Sequence, residues 1–285
     1  MPDPVPFADS PNRLVAVTVA RREQLSPAFV RLGLTGPGLA AFAPAGRDLR
    51  VKILLPGPDG HPVCLADGLT EAAWRAAWRA LPLAERPVMR SYTAPRVDPA
   101  ARWLDLDVYL HEPAGPASAW AARAALGDPL LVSGPAQGAG DPDHGVQWHP
   151  GAATRVVIGA DETAFPAVAG ILATLGPDTR ATLLLEAADP ADTAPFVDAA
   201  DPRLEVHHVA RDGRPGGVPL LEAGGAWARR YGAGAAAAGA AFYGWFATES
   251  ARVAELRRSL LEVGLGAERV HTQGYWIDRA GRARD

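Results

Sequence analysis

Cysteine is all but absent from the 285-residue chain, which carries only Cys64. That excludes an internal disulfide framework, an all-cysteine iron–sulfur cluster and a multi-cysteine zinc site. An excess of positive charge is also missing. The 28 Lys+Arg stand against 32 Asp+Glu for a formal net charge of -4, so no general attraction to nucleic acid or anionic membrane is expected. Gly, Pro and charge interrupt every apolar stretch before it reaches membrane-spanning length, and the alanine-rich Gly232–Ala241 run is short and glycine-broken. The opening Met1-Pro2-Asp3-Pro4-Val5-Pro6 lacks a basic start followed by an apolar run. No signal peptide is therefore expected, and the expected location is the cytoplasm. The seven histidines suggest no metal site. His207 and His208 are neighbours in an expected strand and face opposite sides, while His144 and His149 lack partners at ligand spacing. Neither a Gly-x-Ser-x-Gly elbow nor a Walker loop is present. With no recognisable catalytic motif of its own, the chain is expected to borrow its chemistry from a cofactor.

What is present is enough apolar residue, 48% against 21% charged, to build two ordinary domains. The two halves follow different patterns. Leu14–Ala20, Phe29–Leu34, Leu49–Leu55 and Leu104–Leu110 alternate or are β-branched, separated by turns such as Pro56-Gly57-Pro58-Asp59-Gly60. This spacing predicts an antiparallel barrel or sandwich. A helix is expected near Glu71–Leu81, with Trp74 and Trp78 on one face packing against the core. The Gly-, Pro-, Asp- and His-rich stretch 139–153 reads as a linker. Beyond it strands at Arg155–Ala160, Ala181–Ala187, Leu204–Ala210, Ala241–Phe246 and Arg269–Trp276 are interspersed with helices at Ala164–Leu175, Pro219–Tyr231 and Ser250–Val263. The expected fold class is thus β plus α/β: an N-terminal antiparallel β-barrel over 12–138, then a mainly parallel α/β domain over 154–285.

Four stretches carry candidate chemistry. In Arg90-Ser91-Tyr92-Thr93, strand alternation places Arg90 and Tyr92 on one face and Thr93 on the other. A cation, an aromatic face and a polar group suit a flavin dinucleotide. The second runs from His111 through Gly115-Pro116-Ala117-Ser118-Ala119-Trp120-Ala121 to Gly127-Asp128 and Ser133-Gly134-Pro135. Its short helix offers free amides and positive partial charge to a pyrophosphate, with Ser118 either a phosphate donor or an N-cap. The third, Asp161-Glu162-Thr163-Ala164-Phe165-Pro166-Ala167, joins a strand to a helix that Thr163 can cap. It lacks a Gly-x-Gly-x-x-Gly loop, and its two carboxylates would repel a pyrophosphate unless they point away. The fourth comprises Thr248-Glu249-Ser250 and the tail Gly274-Tyr275-Trp276.

Taken in order, these stretches resemble the siderophore-interacting proteins, a branch of the ferredoxin-reductase superfamily, over about Leu14 to Gly281. The match lies in Arg-x-Tyr-Thr, in the Gly-Pro-Ala-Ser-x-Trp-Ala run after His111, in Asp-Glu-Thr-Ala-x-Pro-Ala and in Gly-Tyr-Trp; Val51-Lys52-Ile53-Leu54-Leu55-Pro56 is a further family-like piece. Departures are Arg96, one place later than usual, Thr248 in place of a Gly, and Ile277-Asp278 where basic residues are common. The resemblance implies an FAD-binding reductase of ferric siderophores, with NADPH or NADH as donor and ferredoxin as the alternative. It implies FAD contacts at Arg90, Ser91, Tyr92, Thr93, His111, Ala117, Ser118, Trp120 and Thr163. Asp161, Glu162, Arg211 and Glu249 become nicotinamide-side candidates, and Tyr275, Trp276 and Arg279 candidates for the substrate rim. Arg211 is either a reader of a 2′-phosphate or a plain loop charge, and Arg282 and Arg284 read as a solvated tail. A monomer without membrane insertion is expected. A general flavin or quinone diaphorase and a non-enzymatic flavin- or siderophore-binding protein remain alternatives.

Overall fold

The structure is a computed structural model that describes residues 10–44, 46–57, 65, 67–141 and 143–278. The chain divides into two compact units, Met1–Gln147 and Trp148–Asp285.

In the first unit eight strands are formed among the described residues. They are β1 (Asn12–Ser26), β2 (Phe29–Thr35), β3 (Arg50–Leu54), β4 (Leu69–Thr70), β5 (Met89–Thr93), β6 (Arg96–Asp98), β7 (Trp103–Tyr109) and β8 (Pro129–Pro135). Their order is β5-β3-β8-β1-β2-β7-β6, with β4 paired to β1 and every pairing antiparallel. The strands at the two ends of that order, β5 and β6, are separated in sequence only by Ala94 and Pro95. So short a link spans about 11 Å at most, so the sheet must curl until its edges approach. Alternation supplies the interior: Leu32 and Leu34 of β2 and Leu104 and Leu106 of β7 are fully buried.

The helix α1 (Glu71–Ala80) forms as expected, with the Thr70 hydroxyl capping it by accepting from the Ala73 amide at 3.3 Å. Trp74 is fully buried against Leu14, Leu54 and Leu131, and Trp78 packs on the same cluster. Strand β8 is absent from the sequence reading, since Pro129-Leu130-Leu131-Val132-Ser133-Gly134-Pro135 starts and ends on Pro and shows no clean alternation. Yet it is central, paired with β1 and β3, and the prolines sit at its ends where fewer ladder bonds are needed. Much of the stretch expected to be a linker is built into this unit. The Arg50 amide donates to Gly145 O at 2.9 Å, the Gln147 amide to Asp48 at 3.1 Å, and Arg47 pairs with Asp143.

The second unit comprises β9 (Arg155–Asp161), α3 (Phe165–Leu172), β10 (Arg180–Ala187), β11 (Leu204–Ala210), α4 (Val218–Ala237), β12 (Phe242–Glu249), α5 (Ser250–Glu262) and β13 (Val270–Trp276). The sheet order is β11-β10-β9-β12-β13, and all pairings are parallel. The inner strands read as near-continuous apolar runs because helices cover both faces; every residue of β12 is buried. Helix α4 runs to Ala237, well past the expected end at Tyr231. Its glycines let α5 approach: a Cβ at Gly224 would stand 2.7 Å from Leu256, and one at Gly232 2.4 Å from Val263. Close packing offsets the poor helix propensity of glycine, which the sequence pattern weighs alone. Among the described residues no helix is long and apolar enough to cross a membrane.

Candidate functional site

Two constellations emerge, one in each unit. In the first unit, pairing with β3 sets β5 so that Arg90 lies opposite Ile53 and Tyr92 opposite Val51, while Ser91 lies opposite Lys52 and Thr93 opposite Arg50. Arg90 and Tyr92 therefore share a face, as strand alternation requires. The Arg90 guanidinium is exposed, and one end donates to its neighbour Met89 O at 2.8 Å. Tyr92 is half-buried; burial pushes its phenol up to about 12, against the opposing pull of Arg90. It stays a neutral ring at any physiological pH. Ser91 and Thr93 face the other way. The Ser91 hydroxyl accepts from the Lys52 ammonium, and Thr93 is buried. Burial first, then Arg50 and Arg75, lower Lys52 to about 8.

The second candidate element of this unit is α2 (Pro116–Arg123), which has Gly115 as its N-cap with no side-chain cap. Ser118 is therefore not the N-cap: it sits a turn into the helix, where its hydroxyl accepts from the His111 amide at 3.1 Å. The first intrahelical bond of the turn, Ala119 N to Gly115 O at 2.8 Å, leaves the Ala117 and Ser118 amides ahead of the ladder. The Trp120 and Ala117 side chains are buried, so they anchor the helix rather than present themselves to a ligand. His111 is exposed, its ring 5.8 Å from that of Tyr109. The donor set fits a flavin dinucleotide: a cation and uncapped helix amides suit phosphates, and a neutral phenol ring suits an aromatic face.

The second unit treats its helix entrances differently. The strand order reverses between β9 and β12, and the C-terminal ends of these strands flank the crevice where such sheets bind ligands. Four buried carboxylates stand there: Asp161 (1% exposed), Glu162 (1%), Glu186 (0%) and Glu249 (4%). Asp161 accepts from the Thr163 amide at 3.0 Å, the Thr163 hydroxyl at 2.5 Å, the Thr248 hydroxyl at 2.6 Å and the Trp276 indole N–H at 2.8 Å. Glu186 accepts from the Gly217 and Leu220 amides, both at 2.8 Å, at the entrance of α4. Gly217 is left-handed (φ 81°), which glycine adopts without strain, and a Cβ there would stand 2.8 Å from the Thr248 hydroxyl. Glu249 caps α5 through the Ala251 and Arg252 amides at 2.7 and 3.0 Å. Glu162 accepts from the Ala188 amide at 2.9 Å, and burial raises its carboxyl above the usual range despite Arg211. Arg211 is clamped between Glu162 and Glu186, its Nε 3.0 Å from the Glu186 carboxylate.

These contacts revise several expectations. Thr163 caps nothing; it is capped by Asp161, because a carboxylate at the strand end reaches the first amides of the turn. Glu249 serves α5, and Trp276 turns inward to Asp161, with its ring edge where a Cβ on Gly216 would stand (2.9 Å). Tyr275 packs edge-on against Trp245 at 6.1 Å, and Arg279 lies outside the described residues. Glu186 was not among the candidates, although a carboxylate closing an apolar strand, Leu183-Leu184-Leu185-Glu186, is a signal that a buried partner awaits it. The α4 and α5 entrance amides and Arg211 are already paired with internal carboxylates, so as the crevice stands they do not serve a nicotinamide phosphate.

Residues 18–139 match the siderophore-interacting FAD-binding domain family, and residues 153–279 the siderophore-interacting protein family. An uncharacterized protein of Mycobacterium tuberculosis H37Rv is 35% identical over 212 residues, covering 74% of this chain and 70% of that one. An Escherichia coli K12 protein named NADPH-dependent ferric-chelate reductase is 36% identical over 126 residues, 43% of this chain and 45% of that one. A solved siderophore utilization protein from T. fusca aligns over 94% of both chains, with a TM-score of 0.71 and 28% identity.

Proposed function

The chain belongs to the siderophore-interacting protein family, and from that premise we propose that it is an FAD-dependent reductase of ferric siderophores. The observation that carries this reading is the donor set of the first unit: exposed Arg90, neutral Tyr92 and the Ala117 and Ser118 amides, on which no side-chain cap is spent. Bound FAD supplies the coupling of two-electron to one-electron chemistry, which no side chain of this protein provides. Arg90 offers charge-assisted hydrogen bonds to a phosphate, and the α2 entrance adds amides and a partial positive charge. Tyr92, uncharged up to about pH 12, offers a ring face without an anion that would oppose electron-rich flavin. The buried Trp120 and the Ser118–His111 bond hold the helix entrance in register. With FAD held there, the two electrons of one hydride would reduce two ferric ions with release of one proton, and ferrous iron would be held less firmly by the siderophore's hard oxygen donors. NADPH or NADH is the proposed donor, with reduced ferredoxin as the alternative.

The test is an anaerobic absorbance titration of FAD-loaded protein. Bleaching of the flavin band by NADH or NADPH, recovery on adding a ferric siderophore, and Fe(II) trapped by a chelator are the expected results. A flavin that stays reduced in the presence of ferric siderophore overturns the reading, and failure to bind FAD removes its foundation.

A further inference from the structure

Two helix entrances of the α/β unit, those of α4 and α5, are filled from within, and so is the turn that precedes α3. Asp161 takes the turn leading to α3, Glu186 takes α4 and Glu249 takes α5, each through one or two backbone amides at 2.7–3.0 Å. An incoming phosphate would have to displace a buried carboxylate tethered to its own amides, which competes at the high effective concentration of an intramolecular group. The phosphate would also sit beside the remaining carboxylates and be repelled. Arg211, the candidate reader of a 2′-phosphate, has its Nε on Glu186 and its terminal nitrogen on Glu162.

We propose that this unit takes its nicotinamide donor without a phosphate seat and does not read the 2′-phosphate, so that NADH and NADPH serve alike. The proposal rests on the reductase reading above and names Glu162 and Glu186 as the residues that set donor specificity, by occupying Arg211. They act as positioning residues: the carboxylates hold the guanidinium away from any ligand. Recognition is left to the nicotinamide and ribose ends of the donor, whose contacts need no anion site.

The experiment measures binding of NAD+, NADP+ and adenosine 2′,5′-bisphosphate to the FAD-loaded full chain by calorimetry, independent of turnover. Dissociation constants for NAD+ and NADP+ within about three-fold of each other, with no binding of the bisphosphate at millimolar concentration, are expected. Glu162→Gln removes one negative charge from the clamp and should tighten NADP+ relative to NAD+ by about five-fold. Arg211→Gln should leave the wild-type ratio unchanged, with thermal melts checking that each variant is folded. A wild-type preference for NADP+ above ten-fold that Arg211→Gln abolishes overturns the proposal, as does the failure of both nucleotides to bind. Photoreduced protein mixed with ferric siderophore tests the reductase reading separately. Reoxidation there, together with a strong NADP+ preference, would sink the specificity proposal and leave the reductase standing.

Discussion

The two units use the same structural device to opposite ends. In the barrel unit α2 begins on a glycine cap, Gly115, with no side chain spent on its amides, and Arg90 of β5 is exposed. In the α/β unit the entrances of α4 and α5 and the turn before α3 each meet a buried carboxylate, and Arg211 is clamped by two. A helix N-terminus is an anion site in both cases; what differs is whether the anion comes with the chain. An open entrance is a place for a ligand, whereas a self-capped one is a joint that holds strands, turns and helices together. The α/β half of a nucleotide-binding architecture can therefore retain its topology while giving up its phosphate seat.

Breaking the joint should produce the largest effect. Glu186→Ala orphans the Gly217 and Leu220 amides and strips one partner from half-buried Arg211; a loss of about 3 kcal/mol is expected, read from thermal or denaturant unfolding. Flavin binding to material that remains folded should persist, because the carboxylate serves the other unit. Opening the comparison from the other side, Arg90→Ala should weaken FAD binding by about 30-fold, or about 2 kcal/mol, with the melting temperature of the flavin-free protein unchanged. Equal flavin occupancy in wild type and variant after gel filtration would take Arg90 out of the site.

Smaller effects should separate the units by pH. In the α/β unit His271 is pushed down to about 4, by burial first and then by Arg257 and His149. The unfolded imidazole takes up a proton near pH 6.5 and the folded one only near 4, so the unfolded state binds more protons in between. Stability should fall by about 2 kcal/mol as pH drops through that window, and His271→Gln should flatten the loss. In the barrel unit Lys52 releases its proton from about 8 rather than 10.5, so stability should rise with pH across that interval. Lys52→Met should remove this alkaline gain, the smallest of the four effects. A melt series in which His271→Gln leaves the acid limb untouched would show that another group governs it.

Much of the architecture was legible. The change from short alternating strands to strand–helix units placed the two halves, and α1 with its tryptophan pair formed where its pattern put it. Strand β8 was not, because its local sequence carries Pro and Gly and its place between β1 and β3 depends on pairings made far away in the chain. The end of α4 was misplaced for a related reason: glycines that read as breakers are contact points for Leu256 and Val263. In the site, the shared face of Arg90 and Tyr92 followed from strand period alone. Asp161, Glu162, Arg211 and Glu249 were found as residues, but their partners were not.

By itself, then, the chain's sequence determined its class, its division into strand-rich and strand–helix halves and its family, since periodicity and ordered motifs are local properties that survive without coordinates. It also offered candidate residues at both strand-end regions, Arg90 and Tyr92 in one and Asp161, Glu162 and Glu249 in the other. Tertiary structure decided whether each charged residue is open to a ligand or consumed by the fold. Arg90 and Arg211 look alike in sequence, but only one has carboxylates brought to it, from positions 25 and 49 residues away in the chain. Electrostatic pairing is set by distance in space, and that distance does not exist until the sheet has formed.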